Sequence, residues 1–296
     1  MRGRLVLALA AALAAAGCVR RPPRPAPPAR YTVGQPYEAG GVWHYPQESF
    51  GYDATGLASV QSRGEGLTAD GEVRDSEAMA AAHPTLQLPA ILRVTNLDSG
   101  LQVVVRANDR GPDQPGRLIA LTPHAAALLG MRPGDAARVR VQVEAEPSAA
   151  LRDALVAAPQ VASAAPVTTV LAEDLPSLGA SARPQGHPGP ARLLGEPGPH
   201  EAGPALPPER LPATATRAAA QPGTLWIDLG EFHTASYAAQ RRARLAGLGA
   251  HMDRMGHGRS VLYRVRAGPF ATVPEADAAL DQARRAGVSD AMITAE

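Results

Sequence analysis

Lysine is absent from this chain, cysteine occurs once, and aromatic residues make up only 4% of its 296 positions. Each shortage excludes something. With so few rings, a core has to be built from Ala, Val and Leu. One cysteine rules out an internal disulfide framework. The 29 basic residues are all arginine and nearly balance 28 acidic ones, for a formal net charge of +1. That leaves no global field to gather nucleic acid or an anionic membrane surface, and no nucleic-acid partner is expected. The eight histidines show no ligand spacing with Cys or acidic partners, so no metal and no cofactor are expected. Glycine and proline, by contrast, number 29 each, and the prolines are bunched.

The N-terminus carries a directional signal. Met1-Arg2-Gly3-Arg4 is a charged start, and Leu5 to Ala16 is apolar but shorter than the ~20 residues that span a bilayer. It fits the apolar region of a secretory signal peptide. Ala15-Ala16-Gly17 then leads directly into Cys18. The arrangement resembles the lipobox of bacterial lipoproteins, with Ala15 where Leu is usual. That resemblance implies lipidation of Cys18 and a membrane partner through its acyl chains, which together anchor stably. Val19 follows, where the resemblance associates Asp with inner-membrane retention, so the outer membrane, facing the periplasm, is the expected location.

Composition divides the rest. A tether at 18–30 holds Pro22, Pro23, Pro25, Pro27 and Pro28. A globular stretch follows at 31–146, then an Ala/Pro-rich disordered linker at 147–222 and a second compact stretch at 223–296. Within the linker, Ala149 to Ala158 has the makings of a short helix. In the first globular stretch, strands at 91–97 and 101–106 flank Asp98-Ser99-Gly100, a turn with Gly available for positive φ. Alternation at 138–143 sets three valines on one face. Thr122 caps a short helix from Pro123 to Leu129, and a second helix is expected from Glu77 to His83, ended by Pro84. Many short strands with little helix indicate a small closed barrel. In the last stretch, strands at 225–229, 261–266 and 291–294 alternate with helices, one running from the Thr234 cap to about Leu248. The other is opened by the capping box Thr272-Val273-Pro274-Glu275. If His251 to Arg259 supplies one more strand, the result is a four-stranded antiparallel βαββαβ module.

Three stretches can carry chemistry: Thr68-Ala69-Asp70-Gly71-Glu72, Ala81-Ala82-His83-Pro84, and Arg106-Ala107-Asn108-Asp109-Arg110-Gly111-Pro112. Each puts an ionisable group at a turn or element end. Glycosidic cleavage needs a carboxylic acid to protonate the leaving oxygen and negative charge to stabilise an oxocarbenium-like transition state. Glu72, Asp109 and His83 in one groove would meet that need. On residue chemistry alone, Glu72 as a solvated turn residue, Asp109 as a turn cap and His83 bonded to its helix end are the stronger readings.

The ordered set Gly56-Leu57-Ala58-Ser59, Thr68–Glu72, Ala81–Leu86, Arg93–Leu97, Val103–Pro112 and Leu129-Gly130-Met131 resembles the double-psi β-barrel of the rare lipoprotein A family, over roughly residues 51 to 144. The resemblance implies a six-stranded double-psi barrel and an endolytic peptidoglycan transglycosylase, a lyase that cleaves the MurNAc–GlcNAc bond of peptide-free strands to 1,6-anhydro ends. Its catalytic Glu, His and Asp fall on Glu72, His83 and Asp109. Either carboxyl can be the general acid, with His83 orienting or polarising one of them. Val60-Gln61-Ser62 stand where the family has aromatics, and Ala120 where it has Asp. The last 73 or so residues resemble a SPOR (sporulation-related repeat) module on Leu225–Gly230 and Tyr263–Phe270. This implies binding of denuded glycan strands at the division site, with Trp226, Arg264, Arg266 and Tyr263 as the glycan-contact residues. Strand alternation puts Tyr263 and Val265 on one face and the arginines on the other. An inactive septal peptidoglycan-binding lipoprotein is the alternative reading. A scaffold recruiting division-machinery proteins through the long linker is a third.

Overall fold

The protein is seen here in a computed structural model that describes residues 29–62, 64–157, 211–256 and 261–296. The signal peptide, Cys18 and most of the tether lie outside the described residues, as does 158–210 of the expected linker.

A small antiparallel hairpin comes first, β1 (Tyr37–Ala39) with β2 (Val42–His44). Six strands then build the barrel: β3 (Asp53–Val60), β4 (Ala80–Ala82), β5 (Ala90–Asn96), β6 (Leu101–Asp109), β7 (Arg117–Leu121) and β8 (Ala136–Val143). Their order is β4-β7-β3-β8-β5-β6, and a β4–β6 pairing closes the ring. Two pairings, β3 with β7 and β4 with β6, are parallel in an otherwise antiparallel ring. Closure removes the exposed edges that an open sheet of these strands would carry. The core is aliphatic, as the shortage of rings requires: Leu86, Leu88, Leu92, Val94, Val105, Ile119 and Leu121 are all essentially inaccessible. Gly100 turns the β5–β6 hairpin at φ 71°, and α1 (Pro123–Leu128) is capped by the Thr122 hydroxyl, which accepts from the Ala125 amide.

Two expectations are corrected. The segment expected to be helical from Glu77 to His83 is a turn followed by β4. Its alanines favour helix locally, but they fill the slot between β6 and β7, pairing with Arg106, Ala107 and Asp109 on one side and Leu121 and Ala120 on the other. The linker is also ordered at both ends, where the sequence indicated only a short helix from Ala149 to Ala158. Helix α2 (Ala145–Ala157) buries Leu151 and docks through Ser148, whose hydroxyl accepts from the Ile91 amide (2.9 Å) and donates to its carbonyl (3.2 Å). Residues 211–222 run along the barrel, where β9 (Thr216–Arg217) pairs with the start of β6. Ala218 and Gln221 donate to the carbonyls of Gly100 and Leu97.

The terminal module has the expected order: β10 (Leu225–Phe232), α3 (Ala235–Arg244), β11 (His251–Met255), β12 (Leu262–Phe270), α4 (Val273–Arg285) and β13 (Met292–Ala295). All pairings in its β11-β12-β10-β13 sheet are antiparallel. Helix α3 stops at Arg244 and a 3-10 turn covers 246–248, so the long helix expected to Leu248 is broken. Both helices cover one sheet face, where Ile227, Leu229, Val265, Ala276, Leu280 and Ala283 are buried. The module rests on the barrel, and Leu57 of β3 belongs to its core cluster. The Arg117 guanidinium donates twice to Asp277 of α4 (2.6 and 2.8 Å), a planar two-point match.

Candidate functional site

The loop between β3 and β4 delivers Glu72, and the end of β6 delivers Asp109. Two short-range arrangements join them. The Ala69 amide donates to Asp109 Oδ1 (3.0 Å), and the Asp70 amide donates to the Asn108 carbonyl (3.2 Å). Asn108 in turn donates its side-chain amide to Glu72 Oε2 (2.8 Å). The loop and strand end are thus tied across residues 69–72 and 108–109, and the two carboxylates belong to one cluster.

Their surroundings differ. Glu72 is partly exposed and its other oxygen pairs with Arg106 (2.7 Å), whose side chain is largely buried. Asp109 is 5% exposed. Its Oδ1 accepts from the amides of Ala69 and Arg110 (2.9 Å), and its Oδ2 from Arg74 (2.6 Å). Arg74 itself is open to solvent, with 39% of its side chain exposed. It lies over Asp109, and its Nε also donates to the Leu67 carbonyl (3.4 Å).

His83 is brought to the same strand end and turned elsewhere. Its amide donates to the Asp109 carbonyl (3.0 Å), but its ring is fully buried and forms no hydrogen bond with either carboxylate. Nδ1 accepts from the amides of Thr85 and Leu86 (3.2 and 3.1 Å), which leaves the ring proton on Nε2, 3.1 Å from the Tyr52 hydroxyl. Burial, with Arg110 adding to it, pushes the imidazole down to about 3, so the ring is neutral. Direct orientation of a carboxyl by this ring, as expected from the sequence, is not the observed arrangement. His83 instead fixes the turn that follows β4.

Asp70 went unremarked in the sequence beyond its place in a motif. It is 1% exposed. Its Oδ1 accepts from the Thr68 hydroxyl (2.7 Å) and the Glu72 amide (3.1 Å), while Oδ2 has no partner among the described residues. Burial raises its carboxyl to about 6, with nearby Glu72 adding to the rise. Arg106 was equally overlooked. The available signal was a charged residue directly after three consecutive valines, two positions before an Asn-Asp pair. Ala120 pairs with Ala82, which also pairs with Asp109, so the absent acid would have stood one strand away from Asp109.

In the terminal module, Trp226, Arg264 and Arg266 share the sheet face that the helices leave open. Arg266 lies over the Trp226 ring (4.3 Å to its centroid) and pairs with Asp253 and Glu296. Arg264 pairs with Asp228 and Glu296. Tyr263 is on the other side, packed against the core cluster, so it is separated from that face, as alternation along β12 requires.

Among the described residues, no cluster of His, Cys, Asp and Glu is arranged to hold a metal.

Comparison with known proteins agrees with both halves. A family described as Lytic transglycolase matches residues 53–143, and the SPOR domain family matches 221–294. The endolytic peptidoglycan transglycosylase RlpA of Pseudomonas aeruginosa PAO1 is 31% identical over 280 residues, 86% of this chain and 74% of that one. The proteins of the same name from Yersinia pestis and Vibrio cholerae are 44% and 47% identical over 103 and 77 residues. They are matched over 28% and 29% of their own lengths, and cover 33% and 26% of this chain. A crystal structure of the RlpA SPOR domain from Pseudomonas aeruginosa matches 24% of this chain and 99% of its own, at 23% identity and a TM-score of 0.23. On the length and identity of the first of these matches, the chain belongs to the RlpA family, a double-psi barrel joined to a SPOR domain.

Proposed function

We propose that this chain is a lytic transglycosylase that cleaves the MurNAc–GlcNAc bonds of peptide-free peptidoglycan strands, leaving 1,6-anhydro ends. The observation that carries the reading is the tie between residues 69–72 and 108–109, which sets Glu72 and Asp109 in one cluster. Glu72, held by Arg106 and Asn108, supplies the fixed negative charge against which positive charge at C1 develops. Asp109 moves the proton. A glycan entering the cluster displaces Arg74 and excludes water from around Asp109. Asp109 then protonates the glycosidic oxygen, the C–O bond breaks, and the muramyl C6 hydroxyl attacks C1. The hydroxyl proton returns to Asp109, so no water is consumed and the acid is regenerated. His83 acts through the backbone, by ordering the turn next to Asp109, and is a positioning residue.

The finer setting belongs to the same proposal. Cys18 carries the lipid, the protein hangs from the outer membrane into the periplasm, and the terminal module holds it on denuded glycan at the septum. The open face with Trp226, Arg264 and Arg266 supplies an aromatic surface and hydroxyl-matching donors for that contact.

The test is direct. Purified protein on amidase-treated sacculi is expected to release anhydro-ended glycans, and Asp109→Ala to abolish the release. An inactive septal binder is the competing reading, favoured by the burial of Asp109 beneath Arg74. Wild-type protein that binds these sacculi and releases nothing would establish it.

A further inference from the structure

The β1–β2 hairpin takes no part in the carboxylate cluster, yet it is firmly held. The Tyr37 hydroxyl donates to the Pro84 carbonyl (3.0 Å), and the Tyr37 ring stacks on His44. Arg110, directly after Asp109, donates to the carbonyls of Val33 (2.6 Å), His83 (3.2 Å) and Leu86 (2.6 Å). This binds the segment before the hairpin to the turn after β4. What the fixed hairpin presents is an indole, Trp43, that is 57% exposed. A bare tryptophan on an anchored hairpin adds nothing to the core.

Trp43 borders a cavity of about 440 Å³, within the size range of small-molecule sites. Tyr52, His83 and Pro84 contribute to one part of its lining, and residues 112–118 to another. The terminal module closes it with Arg284 and Asp290, and Arg284 also donates to the Gly40 carbonyl of the hairpin. The cavity therefore exists only while the module is docked. That docking is close-fitting. A side-chain carbon added at Gly116 would lie 2.3 Å from Leu280, and one at Gly56 would lie 3.0 Å from Leu118 and 3.1 Å from the Ile293 carbonyl.

The lining selects a ligand class. Flat apolar surfaces from Trp43, Pro84 and Pro112 stand beside hydrogen-bonding groups from Gln114, Asp113 and Asp290. This mixture suits a sugar ring, whose C–H face packs on an aromatic ring while its hydroxyl and acetamido groups take hydrogen bonds. Charges of both signs line the cavity, so it does not select a strongly charged ligand. His83 lines the cavity, and its backbone amide bonds the Asp109 carbonyl at the end of β6.

We propose that this cavity is a glycan subsite, built jointly by hairpin, barrel and terminal module. It holds a sugar unit of a glycan strand, and Trp43 is its stacking platform. The inference rests on the transglycosylase reading for its purpose but not for its detection. Here the hairpin supplies the ring surface that Val60-Gln61-Ser62 lack.

The chain has two tryptophans, so Trp226→Phe leaves Trp43 as the one indole and its fluorescence reports on the cavity. In a Trp226→Phe, Asp109→Ala chain, peptide-free glycan fragments from amidase-treated sacculi are expected to shift Trp43 emission saturably. Adding Arg117→Ala, which removes both bonds to Asp277 of the module and one residue of the cavity lining, weakens that binding about tenfold. In the catalytically intact chain, Trp43→Ala raises KM about tenfold with kcat within twofold, Trp43→Phe restores most of the loss, and Tyr45→Ala, outside the cavity, changes nothing. Trp43 emission indifferent to saturating fragments overturns the proposal, as does a Trp43→Ala chain with unchanged KM. Saturable Trp43-dependent binding in a wild-type chain that releases no anhydro ends supports the subsite and overturns only the catalytic reading.

Discussion

Two buried groups, Asp70 and His83, pull the stability of the barrel in opposite directions with pH, and removing one exposes the other. His83 has its imidazole pushed from 6.5 down to about 3, chiefly by burial. The unfolded chain takes up this proton below pH 6.5 and the folded chain does not until about 3. Stability contributed by the neutral ring is therefore complete above pH 6.5 and lost as pH falls, by about 1.4 kcal/mol per pH unit. Asp70 behaves inversely. Burial raises its carboxyl from 3.8 to about 6, so between those values the folded chain binds a proton that the unfolded chain does not. Stability then rises as pH falls from 6 to 3.8, by about 3 kcal/mol over the window. From pH 6 to pH 4 the two slopes cancel. In Asp70→Asn only the His83 slope remains, and between pH 7 and pH 4 the variant is expected to lose about 3 kcal/mol more than the parent. Urea denaturation at half-unit pH steps, with equal m-values as the check on a common transition, measures this difference. Taking parent minus variant removes the other carboxylates. Parallel stability–pH curves across pH 4 to 6 would refute the assignment of a buried, proton-binding carboxyl at position 70.

Other perturbations test separate links. Arg74→Ala removes a charged partner from the buried Asp109 carboxylate, so stability is expected to fall by about 1–3 kcal/mol. The rate of anhydro-end release rises, because no guanidinium has to leave Asp109 before the glycan arrives. Ser148→Ala removes the hydroxyl that bonds the Ile91 amide and shares its carbonyl with the Glu144 amide. It is expected to cost about 1–3 kcal/mol in a thermal or urea melt, and an unchanged melt would show that α2 does not brace the barrel. Gly116→Ala drives a side chain against Leu280 from a backbone at φ +72°. Left-handed strain and the clash together are expected to loosen the docked module, seen as a larger radius of gyration in solution scattering and faster proteolysis near residues 211–223.

Where sequence and structure part, the cause is nearly always a neighbour distant along the chain. Met79-Ala80-Ala81-Ala82 reads as helix because alanine favours helix when nothing else acts on it. Small side chains are also what a strand squeezed between two others needs, and β6 and β7 decide the outcome. Residues 211–222 carry no periodicity, yet they lie ordered along β6 and its hairpin turn, since backbone amides there find carbonyls on the barrel. The His83 ring was expected to serve the carboxylates. Two amides of its own turn and the Tyr52 hydroxyl, from a residue outside every motif, claim both nitrogens instead.

By itself the sequence determined the strand periodicities, the turn at Gly100, the caps at Thr122 and Thr272, and the βαββαβ order of the terminal module. All of these depend on residues within a few positions of one another, where propensity, alternation and capping chemistry act directly. Motif order also picked out Glu72 and Asp109. Only the tertiary structure decided that Arg74 covers Asp109, that Asp70 keeps an unpartnered buried oxygen, and that the module docks on β3 and β7 to close a cavity under Trp43. These features depend on burial and charge contributed by segments far apart in the chain, and such couplings leave no local periodicity to read.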